Sequence, residues 1–186
     1  MFGMTSSEST SAIELLKRDH DEVDAMFKQY EDMKDEGDAA AKESLVAKIC
    51  DALTVHAQIE EEIFYPAARR ALQQEEGKDL LDEAAVEHQT LKDLVGRLES
   101  APIDDPLYDA GVKVLSEYVK HHVKEEEKEL FPKVKSSGLD LADLGGKLEA
   151  RKTQLQARAG RGSRNGLGGR RMRRGSGTAD EKRTSH

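Results

Sequence analysis

Two short stretches of this chain pair a histidine with a glutamate four residues on: HAQIE, from His56 to Glu60, and HVKEE, from His122 to Glu126. On a helix a spacing of four places both side chains on one face, one turn apart. That geometry lets an imidazole and a carboxylate reach one metal ion, or lets the carboxylate bridge two. Two further histidines, His20 and His88, stand in the middle of apolar stripes of helical period. A lone histidine on an apolar face is usually a satisfied core residue. Four of them differ, because each buried imidazole is unfavourable unless both nitrogens find partners. Four converging on one level of a fold can satisfy one another only through something they share.

The set is internally repeated. His20, His56 and Glu60 are answered by His88, His122 and Glu126, with histidine spacings of 36 and 34 residues. Two helical hairpins related by an approximate two-fold axis would bring the six together. The economical arrangement is two metal ions, each on two histidines, sharing two bridging glutamates. Imidazole and carboxylate ligands with open positions suit iron, with manganese or zinc as the lesser alternatives. A closed structural zinc site would use thiolates, and the single cysteine, Cys50, lies off the set. The neighbours Glu61, Glu62, Glu125 and Glu127 turn away by about 100° or more per step, which reads as solvated face. Glu61 and Glu127 become outer partners or extra ligands only where the helix is locally rotated or kinked. Tyr118, one turn before His122, either donates a hydrogen bond near the site or packs in a helix gap. His121, one step off the stripe, is expected at the surface or behind a ligand.

Four amphipathic segments must position these groups. The first covers about residues 11–34, with a capping box at Ser11 and Glu14. The second covers about 39–65, its stripe running through Leu45, Ile49, Ala52 or Leu53, His56, Glu60 and Ile63. A third follows Gly77 and carries Leu81, Ala84, His88, Leu91, Val95 and Leu98. The fourth opens at Asp105-Pro106 and carries Val112, Leu115, Tyr118 or Val119, His122, Glu126 and Leu130. Pro66 and Pro132 are expected to kink or end their helices, with 67–75 as a short extension. Residues 139–157 predict a weak terminal helix interrupted at Gly145 and Gly146. The fold class is therefore all-α: an antiparallel up-down four-helix bundle with a short C-terminal helix and a disordered basic tail. The expected divisions are a flexible N-terminus over 1–10, the bundle over 11–135, a short helical extension over 136–158 and an Arg/Gly-rich tail over 159–186.

With charged residues at 35% and aromatics at 4%, the core must be aliphatic. The formal net charge of −8 conceals a split: residues 145–186 carry +9, leaving −17 on residues 1–144. The Gly-, Arg- and Ser-rich end has too little apolar surface to offset its ordering entropy. Charge alone would let it contact nucleic acid or an anionic membrane, but no aromatics interleave its arginines to stack on bases. A solubilising role is the simpler expectation. No apolar run is long enough to span a bilayer, and the N-terminus lacks the pattern of a secretory signal. With its one cysteine, the chain is expected to be cytoplasmic.

The segments HDEVDAMF, HAQIEEEIFYP, EHQTLKDLV and HHVKEEEKELFP resemble the HHE cation-binding domains of the hemerythrin superfamily, over about residues 11–135. The resemblance implies a non-haem centre of two iron ions, bridged by two carboxylates and an oxo or hydroxo group, with an open iron position. It also implies binding of, or redox chemistry with, O2, NO or peroxide, as in defence against oxidative or nitrosative stress, with electrons from a redox partner the sequence does not name. Oxygen-carrying hemerythrins have a second histidine one turn before that of the third helix, where this chain has Ala84. Their last carboxylate is an Asp five residues after its histidine, whereas Glu126 follows His122 by four. The four-His, two-Glu set is more similar to the di-iron domain of iron–sulfur-cluster repair proteins, without their Cys-containing N-terminal domain. An iron-centre repair protein, or an iron-responsive module whose ordered state a partner reads, are the alternative functions.

Overall fold

A computed structural model describes residues 10–35 and 38–166, with side chains to Arg158. The expected flexible N-terminus and most of the basic tail lie outside the described residues. Helix α1 spans Ala12–Met33, and the Ser11 N–H donates to Glu14 Oε2 at 3.2 Å, as the capping pattern predicts. Helix α2 spans Ala39–Ile59 and runs through a π-helical turn, Glu60–Phe64, into α3, Tyr65–Ala71. Helix α4 spans Glu75–Ser100, and α5, Tyr108–Glu125, runs through a second π-helical turn, Glu126–Leu130, into α6, Phe131–Ser136. Neighbours pack in the order α1–α2–α4–α5 and back to α1, which closes an up-down bundle.

Three local expectations are corrected. Pro66 and Pro132 end neither helix; each sits in the first turn of the α-helical segment after a π turn. The π turn makes this possible: the Tyr65 N–H reaches Glu60 O and the Phe131 N–H reaches Glu126 O, each five residues back. This wider turn accommodates a ring that would otherwise clash four residues upstream. Helix α5 starts at Tyr108 rather than at Asp105-Pro106, because Asp105 Oδ1 accepts the Leu107 N–H (2.7 Å) and holds a separate turn. The third difference is at the C-terminus. Gly138, at φ +80, supplies a left-handed turn suited to glycine. Asp140 Oδ1 then accepts the N–H groups of Ala142 and Asp143 (3.1 and 3.0 Å), an N-cap for α7. Helix α7 runs from Leu141 to Gly166, past the expected boundary at 158, and passes through Gly145 and Gly146 without a break.

The bundle interior divides in two. One apolar cluster gathers Leu15, Leu16, Ile59, Phe64, Leu81, Phe131 and Val134, with Leu144, Leu148 and Leu155 of α7. The other gathers Val23, Phe27, Ile49, Leu53, Leu91, Val95, Leu115 and Val119. Between them runs a polar level that includes His20, His56, Glu60, His88, His122 and Glu126, all 8% exposed or less.

Helix α7 lies so close to the start of α1 that a Cβ on Gly145 would be driven into the Thr10 carbonyl oxygen and to 2.8 Å from the Ala12 nitrogen, whereas a Cβ on Gly146 meets nothing. Gly145→Ala should therefore destabilise the protein by about 1–3 kcal/mol. Gly146→Ala should stabilise it by up to about 1 kcal/mol, by removing a helical glycine. Urea denaturation of the two variants beside wild type checks both signs.

Candidate metal centre

The four histidines point their Nε2 atoms at one another in pairs. His20 Nε2 lies 3.1 Å from His56 Nε2, and His88 Nε2 lies 3.1 Å from His122 Nε2. The two buried carboxylates sit between the pairs. Glu60 Oε2 is 3.2 Å from His56 Nε2 and 3.4 Å from His88 Nε2, so it spans the hairpins. Glu126 Oε2 is 3.3 Å from His20 Nε2 and 3.6 Å from His122 Nε2 and spans them the other way. All six residues named from the stripes therefore meet at one level. Their donor atoms form two groups, His20–His56–Glu60–Glu126 and Glu60–His88–His122, with Glu60 common to both.

Behind each imidazole stands a carboxylate on Nδ1. His20 Nδ1 meets Glu127 Oε1 at 2.9 Å, and His88 Nδ1 meets Glu61 Oε1 at 3.0 Å. His122 Nδ1 meets Glu87 Oε2 at 2.6 Å, and His56 Nδ1 meets Asp19 Oδ2 at 3.4 Å. An ionised carboxylate can only accept, so each Nδ1 carries the proton and donates it. In the neutral imidazole Nε2 is then a bare lone pair, aimed inward. Each outer carboxylate meets a cationic or titratable nitrogen in turn: Lys17 for Glu127, Lys92 for Glu61, Lys152 for Asp19 and His121 for Glu87. Glu61 and Glu127 are thus placed on the outer nitrogens, where they orient the inner atoms rather than adding one. His121, 57% exposed, stands behind His122 through Glu87. Tyr118 packs against the second apolar cluster.

The tyrosine at the site is Tyr65, which the 3.6-residue period does not bring inward. Its hydroxyl donates to Glu126 Oε1 at 2.9 Å and lies 3.1 Å from His88 Nε2. In the sequence repeat its counterpart is Phe131, whose ring stacks on His20 at 5.9 Å with 6° between planes. Asp19 and Glu87 were also not singled out. Their signal was a matched pair of carboxylates, each immediately before a candidate histidine.

Burial of the two central carboxylates shapes the electrostatics. Burial, and then the Glu126 charge, hold the Glu60 carboxyl well above the usual range. Burial also works against ionisation of Glu126, but the close His20 imidazole and the charges of His122, His20 and His56 bring it down to about 2. Burial pushes His56 down to about 4 and also lowers His88. It acts the same way on His20 and His122, where carboxylate contacts override it and raise both above the ordinary value. Glu60 Oε1, Glu60 Oε2 and Glu126 Oε2 are buried without a hydrogen-bond partner. Such orphaned oxygens amid inward nitrogens are what a cation would satisfy, and this donor set fits a metal site.

The sequence profile of the hemerythrin HHE cation-binding domain matches residues 11–134. The chain belongs to the hemerythrin HHE cation-binding domain family. A crystal structure of an HHE cation-binding domain-containing protein from Mycobacterium kansasii superposes with a TM-score of 0.67 at 25% identity, over 81% of this HHE protein and 90% of that chain. A curated relative, a DNA nickase of Nostoc sp., is 26% identical over 149 residues, 79% of this chain and 40% of its own length. The chain therefore spans less than half of that relative.

Two outcomes are expected. Glu60→Leu should abolish most metal binding yet stabilise the metal-free protein by about 1–3 kcal/mol, since it removes an unsatisfied buried carboxyl. Glu62→Leu, at an exposed carboxylate paired with Arg151, should do neither. Metal analysis with thermal unfolding separates them. Affinity should also fall with pH. The protons on His20, His122 and Glu60, whose values are all raised, must leave before the cation is held, and acid keeps them on. Calorimetric metal titrations in two buffers should show proton release, with affinity about tenfold or more weaker at pH 6 than at pH 8.

Proposed function

We propose that this HHE domain holds two iron ions at the His/Glu level and uses them to bind or react with O2, NO or peroxide. The observation that carries the reading is the set of three orphaned carboxylate oxygens surrounded by four Nε2 atoms whose Nδ1 partners fix them as lone pairs. His20, His56, Glu60 and Glu126 would hold one ion, and His88, His122 and the shared Glu60 the other. Nitrogen and oxygen donors of this kind suit iron above softer-ligand metals, with manganese and zinc as competitors. When bound, paired iron ions supply two electrons to a small molecule in adjacent one-electron steps.

The chain's own residues do the rest. Glu61, Glu87, Asp19 and Glu127 hold the imidazole tautomers. The Tyr65 hydroxyl holds Glu126 Oε1, with a proton available beside His88. Phe64, Ile59 and Phe131, all at or below 2% exposure, exclude water from the bundle end of the site. Ala84 matters by what it leaves open. A void of about 10 Å³, lined by Ala84, Glu87, His122, Glu126 and their neighbours, reaches the His88–His122 side. That is near the lower limit for one water-sized molecule, and so leaves no room for an organic substrate.

The match covers only 40% of the nickase's own length, and residues 1–144 here carry −17, which would repel a phosphate backbone, so a nicking activity is not proposed. A sensing or repair role would use the same iron centre, and no described feature favours one. Anaerobic reconstitution should give about two irons per chain, with charge-transfer absorption in the near-ultraviolet on oxidation. Ala84→Val, which fills the void, should retain the iron and slow NO or peroxide reaction by about tenfold or more, a barrier increase of at least about 1.4 kcal/mol. Stopped-flow mixing measures it. An iron-loaded Ala84→Val protein reacting at the wild-type rate would place small-molecule access elsewhere.

A further inference from the structure

Helix α7 lies beyond residues 11–134, which the family profile matches, yet one of its side chains reaches the carboxylate behind a candidate ligand. Lys152 Nζ is 2.5 Å from Asp19 Oδ1, and Asp19 Oδ2 faces His56 Nδ1 at 3.4 Å. We propose that Lys152 is a positioning residue for the metal centre: from outside the bundle it holds Asp19 against His56, so that the metal position on His20 and His56 depends on α7 whereas the one on His88 and His122 does not.

Three observations bear on this. Lys17 and Lys92, the lysines behind Glu127 and Glu61, have side chains 45% and 44% exposed, whereas that of Lys152 is 19% exposed and that of Asp19 8%. The α7 pair is the least screened of the three, and its removal would leave the most deeply buried carboxylate without its cation. Second, the Asp19–His56 contact is the longest of the four on Nδ1, so it has least to hold it once its support is gone. Third, Asp19 borders a cleft of about 320 Å³ that also involves Glu22, Lys48, Asp51, Lys152 and Gln156. The other carboxylates of that cleft repel Asp19, but the space gives it room to turn towards water. Lys152 is what keeps it facing inward. The helix that presents Lys152 is anchored independently, by buried Leu144, Leu148 and Leu155 and by Arg151, whose Nε and Nη2 donate to Glu62 at 2.7 and 3.0 Å.

The proposal rests on the metal reading above, and the test separates the two. Full-length wild type, K152M, K152R and R151M are loaded anaerobically with ferrous iron, and iron release to a chelator is followed. K152M should release one of its two irons about tenfold or more faster than wild type, in the range seen when an outer partner of a metal-bound histidine is removed, while the other leaves at the wild-type rate. K152R should restore slow release, and R151M, which removes the Glu62 pair while buried Leu144, Leu148 and Leu155 keep α7 seated, should match wild type. In the metal-free proteins, imidazole nitrogen NMR should show the fixed Nδ1–H tautomer of His56 lost in K152M and kept in K152R. K152Q takes the place of K152M in both measurements should circular dichroism show the methionine variant unfolded. Wild-type release and an unchanged His56 signal in the charge-removed variant would overturn the proposal, as would an R151M protein behaving like K152M. A wild type that takes up no metal would overturn the metal reading itself, and this proposal with it.

Discussion

Six polar groups, four imidazoles and two carboxylates, are buried at one level of an aliphatic bundle, and that constraint governs the rest of the molecule. Carboxyls at 0% and 2% exposure with three oxygens lacking hydrogen-bond partners are strongly unfavourable for an empty fold. They persist because the surrounding helices hold them rigidly, with an apolar cluster on each side of the level. The inward Nε2 atoms are set from outside, by four carboxylates that each fix one Nδ1 proton and are themselves backed by a lysine or histidine. A cation at the centre would turn an electrostatic liability into the strongest interaction in the fold.

The two π turns are the local device that makes the level. Each starts at a central glutamate, and its five-residue hydrogen bond lays residue i+5 over residue i. Tyr65 thereby turns inward to meet Glu126, and Phe131 to stack on His20. Glu61 and Glu127 reach histidines of the opposite hairpin rather than open solvent. Because the repeat is approximate, the centre is not symmetric. A phenol touches one half where a phenyl ring stacks on the other, a small void opens beside Ala84, and α7 packs chiefly on α1 and α2. Unequal surroundings would give two metal positions different access and different support, which would suit a centre at which only one position meets an incoming molecule.

Much of this was legible in the sequence. The stripes named the six inward residues because α1, α2, α4 and α5 are regular up to the glutamates, so a 3.6-residue period is a faithful guide there. It fails beyond Glu60, although Leu130 still falls inward beyond Glu126. The period points to Ile63, whereas the π turn brings Phe64 and Tyr65 inward and leaves Ile63 only partly buried. Asp19 and Glu87 escaped notice because each serves the histidine of the next helix, a relation that depends on packing rather than on spacing. Gly145 looked like a helix breaker for a similar reason: nothing local shows that the start of α1 passes too close for a side chain. The resemblance between the HHE segments supplied the family, and the geometry supplied the roles of Glu61 and Glu127.

The central claim is that the inward Nε2 atoms, the shared Glu60 and Glu126 hold a pair of metal ions. Crystals of anaerobically iron-loaded protein, measured on both sides of the iron absorption edge, test it most directly. The account predicts two anomalous-difference peaks per chain, both on the Nε2 side of the histidines and flanking Glu60. Peaks confined to surface carboxylates such as Glu125, or no peak between the two hairpins, would contradict it.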